Sequence, residues 1–411
     1  MIAIDPDRLI SDLRELAKIG AFQTGVDRIA FSAADIEARR WLVAKLTQAG
    51  LDAAMDRTGT VLGRDPKASK SILIGSHTDT VPKGGWLDGA LGVIYGLEIA
   101  RAGSGAKAPS ALGIDVISFQ DEEGTFLSCL GSRTFCADVA TTEIEAAKSK
   151  DGTLLVKALE AVANEPPHHR IDRNRHLCYL EAHIEQGPRL EAAGRHIAVV
   201  TGLVGIRRFR VRAFGQADHA GTTPMSMRKD AGAALIDFAA WVAHEFPRHA
   251  EPETVWNIGS IAFQPGAANV VPSHGELVLE FRDTKSSVLD LLEQLVLSRV
   301  RESEVGGIGM KAEPVSRIPP AEMAKSLGGA IAEAAASLGE AAMFIPSGAG
   351  HDAMFLARVI PAAMMFVPSI GGRSHDISEN TSDADIVFGC KVLAEAVSRL
   401  RRNPDAFFRQ S

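Results

Sequence analysis

The sequence predicts an α/β protein whose mostly parallel sheet is interrupted by a second, α+β domain. Three observations predict it. Apolar runs of strand length alternate with helical stretches in the first and last parts of the chain, the pattern of a parallel sheet covered by helices. Between residues 206 and 316 the texture changes to alternating strands, as half-buried sheets require. The chain's 411 residues also exceed the roughly 250–300 at which a single core stops growing. The expected domains are residues 1–205 with 317–411, and an inserted domain over 206–316.

The elements follow in order. Asp5 as N-cap and Pro6 at the first helical position predict an amphipathic helix over 6–19, and Ser32 opens a second that runs to Gly50. From Ser71 the chain reads strand (SILIG), glycine-rich turn, helix (ALGVIYGLEIA), strand (LGIDVISF). The Pro-rich segment 164–176 reads as a surface loop. The alternating IRRFRVRAF opens the inserted domain. A helix near 228–246, a strand near 255–264, the strand ELVLEFRD, a helix near 286–303 and a strand near 308–315 follow. This β-α-β-β-α-β order is that of a ferredoxin-like α+β domain. After Pro319-Pro320 come a helix over 321–338, a strand near 361–367 and a last helix over 382–401.

Composition narrows the function classes. A net charge of −7 argues against nucleic acid, which demands a basic surface. No run reaches the roughly 18 apolar residues of a membrane span, and the N-terminus lacks the apolar centre of a signal peptide. Four cysteines without CxxC spacing fit reduced thiols rather than a disulfide framework or a thiolate metal site. Cytoplasmic residence is the expectation.

Five stretches carry the chemistry: GSHTDTVPKGGWLDGALGV (75–93), QDEEGTF (120–126), EAHIEQGP (181–188), ADHAGTTP (217–224) and GGRSHDIS (371–378). His77 follows SILIG, Glu122 and Glu123 follow DVISF, and His183 follows LCYLEA. In parallel α/β sheets ligands bind beyond the carboxyl ends of the strands, so these residues are expected to share one site. Imidazole suits zinc and similar metals, and Asp79, two residues after His77, can fix its tautomer. A carboxylate at Asp88, flanked by glycines, can bridge two cations; its structural alternative is a helix N-cap. Adjacent residues at a strand end point in different directions, so one of Glu122 and Glu123 can bind metal while the other serves as base. Asp121 reads as the solvated member of that acidic turn.

His375 is a further imidazole in such a setting. His351, in SGAGHDAMF, belongs to a backbone-lined loop near the site. His168, His169, His176, His196, His244 and His249 lack comparable settings and read as surface residues. In the inserted domain, His219 lies in a Gly- and Thr-rich loop and Asn269 in the loop GAANVVP. Arg282 takes the face of ELVLEFRD opposite Leu277, Leu279 and Phe281. There it can grip a carboxylate with two parallel hydrogen bonds, or pair with Glu280.

On these motifs the chain resembles the binuclear metal amidohydrolases that include allantoate amidohydrolases, N-carbamoyl-L-amino acid hydrolases and β-ureidopropionases, relatives of aminoacylases and di-zinc carboxypeptidases. The resemblance runs from about residue 8 to 402, and HIEQGP with DHAGTTPM points to the carbamoylase branch. It implies a di-zinc aminopeptidase-like catalytic domain with an inserted lid and dimerisation domain. It also implies metal ligands His77, Asp88, Glu123, His183 and His375, with Asp88 bridging, and Glu122 as general base. His219 becomes the oxyanion stabiliser, from its own or a partner subunit, and Gln186, Asn269 and Arg282 the substrate-binding residues.

The implied cofactor is two divalent ions per subunit, Zn2+ or Mn2+, with Co2+ and Ni2+ also suited. The implied reaction is hydrolysis of the C–N bond of an N-carbamoyl or related N-acyl amino acid by a metal-bridging water that Glu122 activates. The expected partners are a small-molecule substrate with a free carboxylate and a second copy, as a homodimer through the inserted domain. An N-acyl amino acid deacylase or specialised catabolic amidase on the same scaffold is the nearer alternative, and a non-catalytic binding protein the distant one. Thr78, Thr80, Lys83 and Leu87 depart from the common form of the metal loop, and Arg189 from the apolar residue common after QGP. None of these is a ligand.

Overall fold

The computed structural model describes residues 2–104, 112–303 and 308–408. The chain divides into two compact units: residues 1–201, 322–345 and 351–411, and residues 202–321 with 346–350.

The first unit is built on strands that read as continuous apolar runs because both their faces are covered. Strands Ala362–Val367, His176–Ile184, Lys70–His77 and Leu112–Phe119 lie side by side and parallel. Their residues are almost all buried. Val61–Arg64 and then Asp52–Met55 extend this sheet antiparallel beyond Leu112–Phe119.

Helix Pro6–Lys18 starts where the Asp5 side chain accepts the amides of Asp7 and Arg8, each at 3.1 Å. Helix Ala33–Gln48 is capped by Ser32 through the Asp35 amide at 3.2 Å. Helix Ala90–Ser104 is apolar nearly all round and correspondingly buried. Together with helices Lys325–Ser337 and Asp383–Arg402 it covers the sheet in one continuous core. Because the parallel strands all end on one edge, His77, Gln120 to Glu123 and His183 emerge there together.

The second unit has the predicted β-α-β-β-α-β order. Its antiparallel sheet runs Val255–Gln264, His274–Asp283, Gly205–Phe214, Gly309–Ile318. Strict alternation puts Phe209, Val211, Leu277, Leu279 and Phe281 on one face, under helices Ala231–Glu245 and Ser286–Ser303. The other face is charged and laced across strands, with Arg208 paired to Glu280 and Arg212 to Glu276.

All four cysteines are free. Among the described residues no helix is long and apolar enough to cross a membrane.

Candidate metal centre

Five side chains expected to be ligands converge in the first unit around Asp88. Its Oδ1 lies 3.0 Å from His183 Nε2 and 3.7 Å from His77 Nε2, while its Oδ2 lies 3.2 Å from His375 Nε2. Glu123 Oε2 stands 3.5 Å from the same His375 nitrogen. Glu122 Oε2 reaches within 3.7 Å of His77 Nε2. The two oxygens of Asp88 thus face different imidazoles, the arrangement a bridging carboxylate needs.

The backbone decides which imidazole nitrogens face this space. His77 Nδ1 lies 3.0 Å from the Asp79 carbonyl and His183 Nδ1 2.8 Å from the Ile184 carbonyl. A carbonyl only accepts, so Nδ1 of both rings carries a proton, and Nε2, turned toward Asp88, is the nitrogen that would bind a metal in place of a proton. Asp79 therefore orients His77 through its main chain. Its carboxylate is 3.9 Å from the ring and instead pairs with Arg39 Nη2 at 3.2 Å and accepts the Glu123 amide at 3.3 Å.

The loops that present these groups are locally strained. Asp121, Cys129, Gln186 and His375 have φ of 55°, 57°, 57° and 57°, a left-handed conformation that costs a non-glycine residue about 1–3 kcal/mol. Gly89 also sits at positive φ (64°), and a Cβ there would lie 2.4 Å from the His77 ring. That close approach explains the glycine beside Asp88.

Electrostatics in the cluster are tense. Burial, then the charges of Glu123 and Asp352, push the Glu122 carboxyl well above its ordinary value. Burial, then Asp88 and Asp79, do the same to Glu123. Burial also opposes ionisation of Asp88, but hydrogen bonds to His183 and His375 hold its carboxyl well below the usual range. The His183 imidazole, which burial alone would lower, is carried up to about 9 by Asp88.

This donor set fits divalent cations. Ligand atoms of His77, Asp88 and His183, and of Asp88, Glu123 and His375, form triads within 4.8 Å that share Asp88. His77, Glu122 and Glu123 form a third. Glu123 Oε1 is buried with no hydrogen-bond partner, a costly state that a cation would relieve.

Gln186 also lies in this cluster, its Nε2 donating to Asp88 Oδ2 at 3.0 Å. The remaining three expected residues belong to the second unit. There the His219 and Asn269 loops pair, with the Ala220 amide donating to the Asn269 carbonyl at 3.0 Å and a bridge between His219 and Val270. Arg282 bonds Glu280 at 2.9 Å and the Gly348 carbonyl at 2.9 Å, so the Glu280 pairing is formed.

Two further sequence expectations are corrected. Asp121 is fully buried rather than solvated, because its carboxylate accepts the amides of Thr125, Phe126 and Leu127 at 2.7, 3.0 and 2.8 Å. His176 is buried rather than on the surface, 3.4 Å from the Asp115 carboxylate. His351 lies beside the site, as its glycine-rich loop suggests, whereas the other neighbours carry no local signal. His351 packs its ring 4.5 Å from that of His183. Arg39 and Asp35 form a buried support behind Asp79. Glu379 lies one residue beyond the GGRSHDIS motif.

Residues 73–399 match the model of peptidase family M20/M25/M40. An N-carbamoyl-L-amino-acid amidohydrolase of Paenarthrobacter aurescens is 33% identical over 408 residues, covering 96% of this chain and 98% of that protein. A ureidoglycolate hydrolase of Oryza sativa subsp. japonica is 31% identical, covering 97% and 85%. The crystal structure of an amidase of the hydantoinase/carbamoylase family from Burkholderia phymatum superposes with a TM-score of 0.86 at 46% identity, covering 97% and 98%. The chain therefore belongs to peptidase family M20/M25/M40 and, within it, to the amidohydrolases of the hydantoinase/carbamoylase branch.

Proposed function

We propose that this enzyme hydrolyses the C–N bond of an N-carbamoyl or related N-acyl amino acid that carries a free carboxylate. The observation that carries the reading is the pair of ligand triads joined at Asp88, with a second buried carboxylate, Glu122, beside them. In this reading His77, Asp88 and His183 hold one divalent cation, and Asp88, Glu123 and His375 the other. When bound, the cations polarise the scissile carbonyl and lower the pKa of water toward about 7.

Glu122 takes a proton from the attacking water and returns it to the leaving nitrogen. Burial and the neighbouring carboxylates of Glu123 and Asp352 raise its pKa, the direction that strengthens a proton acceptor. The bond broken joins the carbonyl carbon to the amino-acid nitrogen. With a carbamoyl group, one water is consumed and the products are the amino acid, ammonia and carbon dioxide. His219 is assigned to the oxyanion, from its own subunit or a partner's. Arg282 is assigned to the substrate carboxylate, with Gln186 and Asn269 binding the remaining polar atoms. Homodimerisation through residues 206–316, and closure of that domain on substrate, complete the proposal.

The test is a panel of carbamoyl, formyl, acetyl and aroyl amino acids, with the enzyme reconstituted in zinc and in manganese. Fastest turnover of a carbamoyl acid is expected. Turnover confined to acetyl or aroyl acids would replace this reading by a deacylase. Arg282→Ala should lower kcat/KM on the free acid by about 10- to 150-fold, the value of a charge-assisted hydrogen bond of about 1.5–3 kcal/mol. Its effect on the methyl ester should be small; equal losses on acid and ester would contradict the role of Arg282.

A further inference from the structure

We infer that Glu379 is a positioning residue that locks the Asp88 loop to the His375 loop and so sets the geometry of the cation shared by Asp88, Glu123 and His375. The inference rests on the proposed metal centre and adds to it a residue outside the ligand set.

Glu379 is a buried carboxylate (2% exposed) whose oxygens serve two different loops. Oε1 accepts the amides of Leu87 and Asp88 at 3.1 and 3.0 Å. Oε2 accepts the Ser374 hydroxyl at 2.7 Å, and that hydroxyl oxygen lies 3.4 Å from Asp88 Oδ2. One side chain thus fixes the main chain of the bridging ligand and the residue preceding His375. The two ligands are far apart in sequence and come from segments without regular secondary structure.

The glycine-rich metal loop has the matching shape. A Cβ at Gly85 would lie 1.9 Å from Glu379 Cδ and Oε1 and 2.4 Å from Oε2. The carboxylate therefore occupies the space any side chain at 85 would need, and Gly85 is required by Glu379 rather than by backbone freedom. His375, at φ 57°, is held in a conformation that a loop released from Ser374 would leave. Partners that orient metal ligands without touching the metal commonly contribute about 10- to 100-fold in metal affinity.

Glutamine can reproduce this pattern, with Oε1 accepting both amides and Nε2 donating to the Ser374 oxygen; alanine cannot. The experiment is manganese titration of apo wild type, Glu379→Gln, Glu379→Ala and Gly85→Ala by calorimetry, with unfolding of each apoprotein followed in parallel. Wild type and the Gln variant should take up two cations per subunit with similar affinities. Glu379→Ala should bind one of the two about 10- to 100-fold more weakly, and Gly85→Ala, which displaces the carboxylate sterically, should behave alike even where the Ala variant folds poorly.

A purely structural role would lower the unfolding temperature and leave both affinities unchanged, and that result would overturn the inference. A Gln variant as weak as the Ala variant would also overturn it, because charge and not hydrogen-bond geometry would then be at work. Wild type that takes up no cation overturns the proposed centre itself, whereas normal wild-type uptake with unaltered variants overturns only the positioning role.

Discussion

Glu122→Gln is expected to lose about 10²–10⁴ in kcat, the usual contribution of a positioned general base, while keeping both cations. The amide replaces a carboxylate of the same shape, so packing against Cys129, whose sulfur lies 3.9 Å from Glu122 Oε1, is retained. Neither of the triads that share Asp88 includes Glu122. Its neighbour Glu123 is aimed elsewhere, with its amide on Asp79 and its carboxylate toward His375. The triad of His77, Glu122 and Glu123 supplies the competing outcome: if Glu122 were a ligand, the Gln variant would lose a cation along with turnover. Metal content measured beside kcat separates the two. Full metal with wild-type turnover would remove Glu122 from the mechanism altogether.

The second large effect lies behind the site. Arg39→Met should destabilise the protein by about 3–5 kcal/mol, because removing one partner of a buried ion pair strands the others. Arg39 is fully buried, with Nε on Asp35 at 2.8 Å and Nη2 on Asp79 at 3.2 Å. Its Nη1 also bonds the carbonyls of Gly59 and Phe119 at 3.1 and 3.0 Å, just before the turn that carries Glu122. Without it, the buried carboxylates of Asp35 and Asp79 would lose the guanidinium that pairs with both. Urea unfolding checks the magnitude. The double variant Arg39→Met with Asp79→Asn should recover part of the loss, since it removes one stranded charge. A loss under about 1 kcal/mol, the value of an exposed pair, would show that water reaches these groups.

What could be read from the sequence follows a physical division. SILIG, DVISF and LCYLEA are apolar runs long enough for buried strands, so the placement of His77, Glu122, Glu123 and His183 at their ends was legible from local pattern. The same holds for the second unit, where Leu277, Leu279 and Phe281 alternate with Glu280 and Arg282. Buried polar partners were not legible. Asp121 reads as solvated because nothing local shows that three amides curl onto its carboxylate. Arg39 sits on helix Ala33–Gln48, where nothing local shows its burial, which depends on Asp79 and Phe119 from other elements. Asp79 was expected to act on His77 through its carboxylate; the main-chain carbonyl makes the hydrogen bond because Arg39 holds the carboxylate. Glu379 is one more acidic residue in a polar loop until Gly85 and Ser374 fold around it.

The proposed mechanism requires scattered imidazoles and carboxylates to form one centre for two cations. Its most direct test is anomalous diffraction from crystals of manganese-loaded protein. Two peaks per subunit are predicted on either side of Asp88, one contacted by His77 and His183 and the other by Glu123 and His375. No peak, or a single peak that Asp88 does not touch, would contradict it.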